Sequence, residues 1–360
     1  MSRIYLDHAA TTPLRPEARE AMLRGFELWA NPSSPHAEGR KARAALEDAR
    51  ERVKKALNWS DGELIFTSGA SEAAALALGR ARGGRRLVSA VEHDAVLRAA
   101  PDATVLPVGS DGALELDVLE RELAASDTPV VAVQIINSET GNQQDFCEIA
   151  DRVNEVGGIS IIDASQAAGK YGFRYYSSMV IVSAHKFGGP IGIGALLVHD
   201  YALLQPVGGH ERGYRRGTEN LPGALAMAAA LEAGGEPYIP WEPHELMQQF
   251  ANEVRAVGGT WFDDRIDVST GFIHAIAMPG LSGRAQLMRF DMQGIDVSVG
   301  SACSSGSLHS SPVLKAMGVP DDEAERTIRV SLGWNTTREE VERFCEAWLA
   351  MAREGRERAA

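Results

Sequence analysis

Cysteine is scarce: three in 360 residues, at positions 147, 303 and 345, with no CxxC pair. That argues against a disulfide framework or a zinc ribbon, predicts no metal site, and fits a reducing cytoplasm. Long apolar runs are missing too. No stretch is long enough to span a bilayer, and the start MSRIYLDHAATT has no basic-then-apolar leader pattern. Basic residues are outnumbered, 36 against 49 acidic, for a net charge of −13. An acidic surface disfavours nucleic acid and anionic membrane as partners. Internal repeats and low-complexity segments are also absent. What is left is the composition of a soluble globular protein, 44% hydrophobic and 24% charged. The chain is too long for a single core, which predicts one large and one small domain.

The first domain alternates strands and helices. Pro16 suits a first helical position. Ala42, Ala45, Leu46, Ala49, Val53 and Leu57 share one face at the helical period. Strands are predicted at Glu63–Phe66, Leu87–Ser89, Val130–Ile136, Ile159–Ile162, Met179–Val182 and Ala195–Val198, with helices from Ala70 or Ser71 and over about Asp145–Val156. Such alternation predicts a doubly wound, mainly parallel sheet. An alanine-rich helix, Ala224–Ala233, precedes Gly234, Gly235 and three nearby prolines, where the second domain should begin.

Polar residues stand where these strands end. Ser138 follows one strand, Asp163 and Gln166 the next, and Lys186, in the stretch SAHK, the third. A lysine just after a buried strand lies at the sheet edge where open α/β folds hold ligands. Desolvation can strip its proton and leave a nucleophilic amine. The turn Thr67-Ser68-Gly69 before a helix presents free N–H groups, as a phosphate requires; by spacing alone, Ser68 or Ser71 reads more readily as a helix cap. His93 sits at a strand-to-helix junction. The glycines of GGPIGIG precede a strand rather than a helix, so they are not a dinucleotide fingerprint. Cys303 lies among serines and glycines, in the setting of a reactive thiol. Cys147 and Cys345 fall in helical patterns as packing residues. Arg329, on a short strand, has the geometry to grip a carboxylate.

Lysine, acid, histidine, a hydroxyl-rich helix start and arginine together match what pyridoxal phosphate (PLP) chemistry needs. The chain also resembles the cysteine desulfurases of the NifS/IscS type, within the class V aminotransferase superfamily. The motifs are YLDHAATTP, NPSSPHAEGR, FTSGASEA, EHDAVL, NSETGNQQ, DASQAAGK, SAHKFGGPIGIGAL, RRGTEN, GSACSSGS and IRVSLG, in family order over nearly the whole chain. The resemblance implies the PLP-dependent fold type I, with a large PLP-binding domain over 13–237. A smaller α+β domain would comprise 1–12 and 238–360 and carry the cysteine loop. It implies L-cysteine as substrate, with L-alanine and a Cys303 persulfide as products, the sulfur passing to an acceptor protein in iron–sulfur assembly or tRNA thiolation.

In that resemblance Lys186 forms the Schiff base and Asp163 partners the pyridine nitrogen. His93 stacks on the ring and relays protons, while Gln166 and Ser138 lie near the ring hydroxyl. Ala70, Ser71, Ser183 and His185 bind the phosphate. Thr218 reaches it from the other subunit, which implies a homodimer. Arg329, Asn137 and Ala10 contact substrate, and Cys303 accepts the sulfur. Two positions depart from the family pattern: Ser71 is followed by Glu72-Ala73-Ala74-Ala75 instead of Glu-Ser-Asn-Asn, and Ser138 replaces an asparagine. The segment between Gln166 and Ser183 is also short. Alternative readings are a selenocysteine lyase, another class V aminotransferase, or a low-activity PLP-fold scaffold for sulfur transfer.

Overall fold

The computed structural model describes residues 3–172, 174–235, 237–300 and 311–359. In chain order the elements of the first half are β1 (Ile4–Tyr5), α1 (Pro16–Glu27), α2 (Ala37–Ala56), β2 (Glu63–Thr67), α3 (Ala70–Arg80), β3 (Arg86–Ser89), α4 (Asp94–Ala99), β4 (Thr104–Leu106), α5 (Leu116–Ala124), β5 (Val130–Gln134), α6 (Phe146–Glu155), β6 (Ile159–Asp163), β7 (Met179–Ser183) and β8 (Gly194–Val198). The rest comprises α7 (Leu221–Glu232), α8 (Trp241–Ala256), β9 (Thr260–Trp261), β10 (Ile273–Ala277), α9 (Gly283–Met292), β11 (Ile295–Asp296), α10 (Pro312–Ala316), α11 (Asp321–Glu325), β12 (Thr327–Ser331) and α12 (Arg338–Ala359).

Seven strands form the main sheet in the order β2-β8-β7-β6-β5-β3-β4. Strands β4, β3, β5, β6 and β7 are parallel, and β8 runs antiparallel between β7 and β2. The central strands β5, β6, β7 and β8 are buried at every residue, as sheet cores covered on both faces must be. The expected alternation breaks twice: only a 3-10 turn separates β7 from antiparallel β8, and residues 164–178, between β6 and β7, contain no helix among the described residues. The chain there crosses between adjacent parallel strands by turns, the physical counterpart of the short segment seen in the sequence.

Helix α7 shows why its sequence is rich in alanine. It is buried nearly all round, beside α1 and α2. The helix contact is close enough that a Cβ at Gly25 of α1 would meet Pro222 Cα at 2.6 Å. Helix α2 buries the expected face, Ala42, Leu46, Ala49, Val53 and Leu57, with Ala45 half-buried. Cys345 is buried in α12 and Cys147 half-buried in α6.

Beyond α7, the three-stranded antiparallel sheet β12-β10-β9 packs with α8, α9 and α12. The N-terminus crosses to this half. β1 pairs in parallel with β11, and Asp7 bridges to Ser331 at the end of β12. The stretch after β1 is therefore held between the two halves. No helix among the described residues is long and apolar enough to cross a membrane, and none of their His, Cys, Asp and Glu side chains cluster as a metal site would.

Candidate active site

Parallel strands put the carboxyl ends of β3, β5, β6 and β7 on one edge of the sheet, and the polar residues foreseen from sequence meet there. Just past β7 the backbone tightens into a 3-10 turn over Ala184–Lys186. Gly189 allows the turn to fold back, since a Cβ there would meet Ala184 Cβ at 2.8 Å. The loop after β1 is stitched across this turn. Thr12 donates from N and Oγ1 to His185 O, at 2.8 and 2.7 Å. Lys186 Nζ donates to Ala9 O at 2.6 Å and Ala10 O at 2.8 Å. Ala10, expected beside substrate, thus presents its carbonyl to the lysine.

Asp163 closes β6, almost buried, with Oδ1 accepting from Ser165 N at 2.8 Å. Gln166 uses both ends of its amide: Nε2 donates to Ala9 O at 2.7 Å, and Oε1 accepts from Lys170 Nζ at 2.9 Å. His93 caps α4, its Nδ1 accepting from Ala95 N at 3.1 Å. A neutral ring so placed carries its proton on Nε2, which makes Nε2 the donor.

The turn after β2 differs from the capping expected on spacing. The cap of α3 is Gly69, at φ 151°, and no side chain caps the helix. Ser68 instead donates its N–H to Glu72, and Thr67 Oγ1 donates to Gly69 O. Both serines are exposed. A Cβ added to Gly69 would lie 3.9 Å from Ser183 Oγ, so that hydroxyl faces the start of α3 across a glycine-sized gap. Half-buried Ala70 and exposed Ser71 begin the helix. His185 lies alongside in sequence, its Nδ1 3.1 Å from Thr11 Oγ1. Burial, then the charges of Lys186 and Lys170, lower its pKa to about 4, so the ring is neutral near pH 7.

Arg329, buried on β12, reaches across from the other half of the molecule. Nη1 donates to Ser138 O at 2.9 Å and Nη2 to Asp7 Oδ1 at 2.7 Å. Its Nε has no acceptor among the described residues. A cavity of about 320 Å³ opens beside it, lined also by Glu139, Val299, Gly300, Ser311 and Thr327. Burial raises the Glu139 carboxyl above the ordinary range, and Ser311 Oγ donates to it. Gly300 and Ser311 lie together, a Cβ on the first falling 3.6 Å from Ser311 Cβ. Cys303 falls between them, outside the described residues.

Asn137, expected beside substrate, is bonded within the chain. Its Nδ2 donates to Val91 O, and its Oδ1 accepts from Glu139 N, Thr140 N and Thr140 Oγ1. The side chain is buried and holds the turn after β5. Ser138 is half-buried, and its backbone oxygen meets Arg329. Thr218 is exposed, on a basic loop fastened by Arg215 to Glu72 and, at its start, by Arg50 to Glu211.

Three participants carried no role in the sequence reading: Asp7, Lys170 and Glu139. Each lies inside a motif that was singled out, YLDHAATTP, DASQAAGK or NSETGNQQ. A charged residue among small or apolar ones was the available signal.

The aminotransferase class-V family model matches residues 4–344. A cysteine desulfurase IscS of Dictyoglomus turgidum is 34% identical, over 94% of this chain and 91% of the relative. A NifS-like protein of Rickettsia africae superposes with a TM-score of 0.87 at 28% identity, over 97% of this chain and 99% of that one. A structure described as SspA in complex with cysteine gives 0.76 at 28% identity, over 92% and 99%.

Proposed function

We propose, for a chain that belongs to the aminotransferase class-V family and is a cysteine desulfurase of the NifS/IscS type, that L-cysteine is its substrate, PLP its cofactor and the strand-end cluster its active site. The observation that carries the assignment is Lys186, held on a tight turn by two backbone carbonyls at the edge where Asp163, Gln166 and Ser183 converge.

The residues fit PLP. An α-helix start without a side-chain cap, a glycine-sized gap and the Ser183 hydroxyl suit a phosphate, with Ala70, Ser71 and neutral His185 beside them. Asp163 suits the ring nitrogen. His93, Gln166 and Ser138 suit the ring face and hydroxyl, and Lys186 the aldehyde carbon. Thr218 would come from a second copy, making the working unit a homodimer. Bound there, PLP supplies an electron sink for the carbon bearing the substrate's amine.

The chain's own groups do the rest. Arg329 orients the L-cysteine carboxylate through its guanidinium fork. Lys186 removes the substrate Cα proton, and His93 Nε2 carries protons at the ring face. Cys303 thiolate attacks the substrate Sγ. A sulfur–sulfur bond forms, the Cβ–Sγ bond breaks, and its electron pair stays on Cβ, which takes up a proton; Lys186 returns a proton to Cα, and L-alanine leaves. Cys303 keeps the sulfur as a persulfide for an acceptor protein. The meeting of Gly300 and Ser311 at the Arg329 cavity supports Cys303 in this role. The division into 13–237 and 1–12 with 238–360 belongs to the same proposal, supported by the β1–β11 pairing.

The test is L-cysteine turnover by PLP-loaded protein with a reductant, measuring alanine and sulfide together. Equal amounts are expected, lost in Lys186→Ala and in Cys303→Ala. Undiminished sulfide from Cys303→Ala would overturn the persulfide route, and consumption of a keto-acid would favour a transaminase.

A further inference from the structure

Lys170 is the last residue of DASQAAGK, and nothing above gives it work. It is 2% exposed, and no carboxylate contacts it among the described residues. Its ammonium lies over the rings of Tyr238 at 5.0 Å and Phe272 at 4.9 Å. Nζ donates a hydrogen bond to Gln166 Oε1, at 2.9 Å. Burying an ammonium away from a carboxylate is costly, and such residues mark function more often than stability.

We propose that Lys170 is a positioning residue for Lys186, acting by locking the Gln166 amide in one of its two orientations. The argument is one of donors and acceptors. An amide can turn end for end in the same space, exchanging a donor for an acceptor. Lys170 Nζ is the donor in the 2.9 Å bond, so Lys170 holds the orientation with Oε1 toward itself. Nε2 is then forced toward Ala9 O, which it meets at 2.7 Å. That carbonyl is also the 2.6 Å acceptor of Lys186 Nζ. The chain Lys170–Gln166–Ala9–Lys186 therefore contains one amide whose polarity is set from the far end. With the amide reversed, two oxygens would face each other at Ala9, and the seat of Lys186 would be lost. Burial, and then the charge of Lys186, lower the Lys170 pKa well below its ordinary value, so the two amines are electrostatically linked.

The inference rests on the assignment of Lys186 to PLP, and the test separates the two. Wild type, Lys170→Met, Gln166→Met and the double variant are reconstituted with PLP. The pH midpoint of the bound cofactor's visible absorbance is then measured, together with PLP affinity. Methionine keeps the stem packed against the two rings. Lys170→Met should move the midpoint upward by roughly one pH unit, because a nearby positive charge is gone. It should also weaken PLP binding about tenfold. In the double variant the affinity loss should be no greater than in Gln166→Met alone, since Lys170 acts there through the amide. Should Lys170→Met not fold, Lys170→Gln is judged by the same criteria. An unchanged midpoint, or losses that simply add, overturns the proposal. Wild type that takes up no PLP overturns the functional reading and this proposal with it.

Discussion

Arg329 is already paired with Asp7, Nη2 to Oδ1 at 2.7 Å, before any substrate carboxylate arrives. The pair joins the strand carrying Arg329 to the loop that holds Lys186, so the proposed substrate and cofactor residues share one anchor.

Removing Arg329 should therefore act on binding first. Arg329→Ala is expected to lower kcat/KM for L-cysteine about 10–150-fold, the worth of a charged hydrogen bond of about 1.5–3 kcal/mol, chiefly through KM. Arg329→Lys should recover only part, because the fork is lost. Asp7→Asn removes the competing charge and should lower KM. Steady-state alanine release measures all three.

Gly333 stands where a side chain cannot. A Cβ there would overlap the His8 ring, which is itself 2% exposed. Gly333→Ala should lower stability by about 1–3 kcal/mol. His8→Ala in the same chain should restore much of the loss, since the clash goes with the ring. Urea midpoints of the two variants decide it.

His8 also ties stability to pH. Burial, and then the charge of Lys170, lowers its pKa from 6.5 to about 3. Between those values the unfolded chain binds a proton that the folded chain refuses. Stability from this group is complete above about pH 6.5 and falls with decreasing pH, by at most about 1.4 kcal/mol per unit. His185 acts in the same direction down to about pH 4. Glu92 and Glu139, raised mainly by burial, act oppositely: their folded forms keep a proton above the usual carboxylate range. Comparing His8→Asn with wild type isolates His8. The variant should show a shallower loss of stability between pH 6.5 and 4, and an identical slope would refute the assignment.

Arg50 and Glu211 form a buried pair, Nη1 to Oε2 at 2.7 Å and Nη2 to Oε1 at 3.1 Å. The same carboxylate accepts from Phe66 N on β2. Glu211 and Arg212 both sit at positive φ, 47° and 54°, an unfavourable backbone for their residue types. Arg50→Met leaves Glu211 stranded and should cost about 3–5 kcal/mol, whereas Arg50→Met with Glu211→Met should cost less. Both should weaken PLP binding if Thr218 on the same loop reaches the phosphate. Denaturation and PLP titration test the two halves of this prediction.

Much of the sheet was legible because buried parallel strands are continuous apolar runs, and β5, β6 and β7 carry them. The residues ending those strands were legible for the same reason: the apolar runs give way abruptly to polar residues at Asp163 and just before Lys186. Orientation was not legible. The antiparallel run of β8 and the helix-free link from β6 to β7 depend on which strands pair, and periodicity does not record that. The structural part played by Asn137 was not legible either, because polar turn residues and site residues have the same composition. Its four hydrogen bonds, which hold the turn after β5, appear only in the fold. Lys170 was hidden because its contacts with Tyr238 and Phe272 cross long spans of sequence.

The pairing of β1 with β11 has a consequence in time. The carbonyls that hold Lys186 belong to Ala9 and Ala10, made more than 300 residues before Ser331, to which Ala9 is tied. Ala9 N donates to Ser331 Oγ, Ser331 N donates to Leu6 O, and Leu6 N donates to Asp296 O. A nascent chain therefore lacks this anchor for Lys186 until residue 331 has left the ribosome. The strands of the central sheet are all made before that, so a product truncated before residue 331 would carry the sheet with its lysine unanchored.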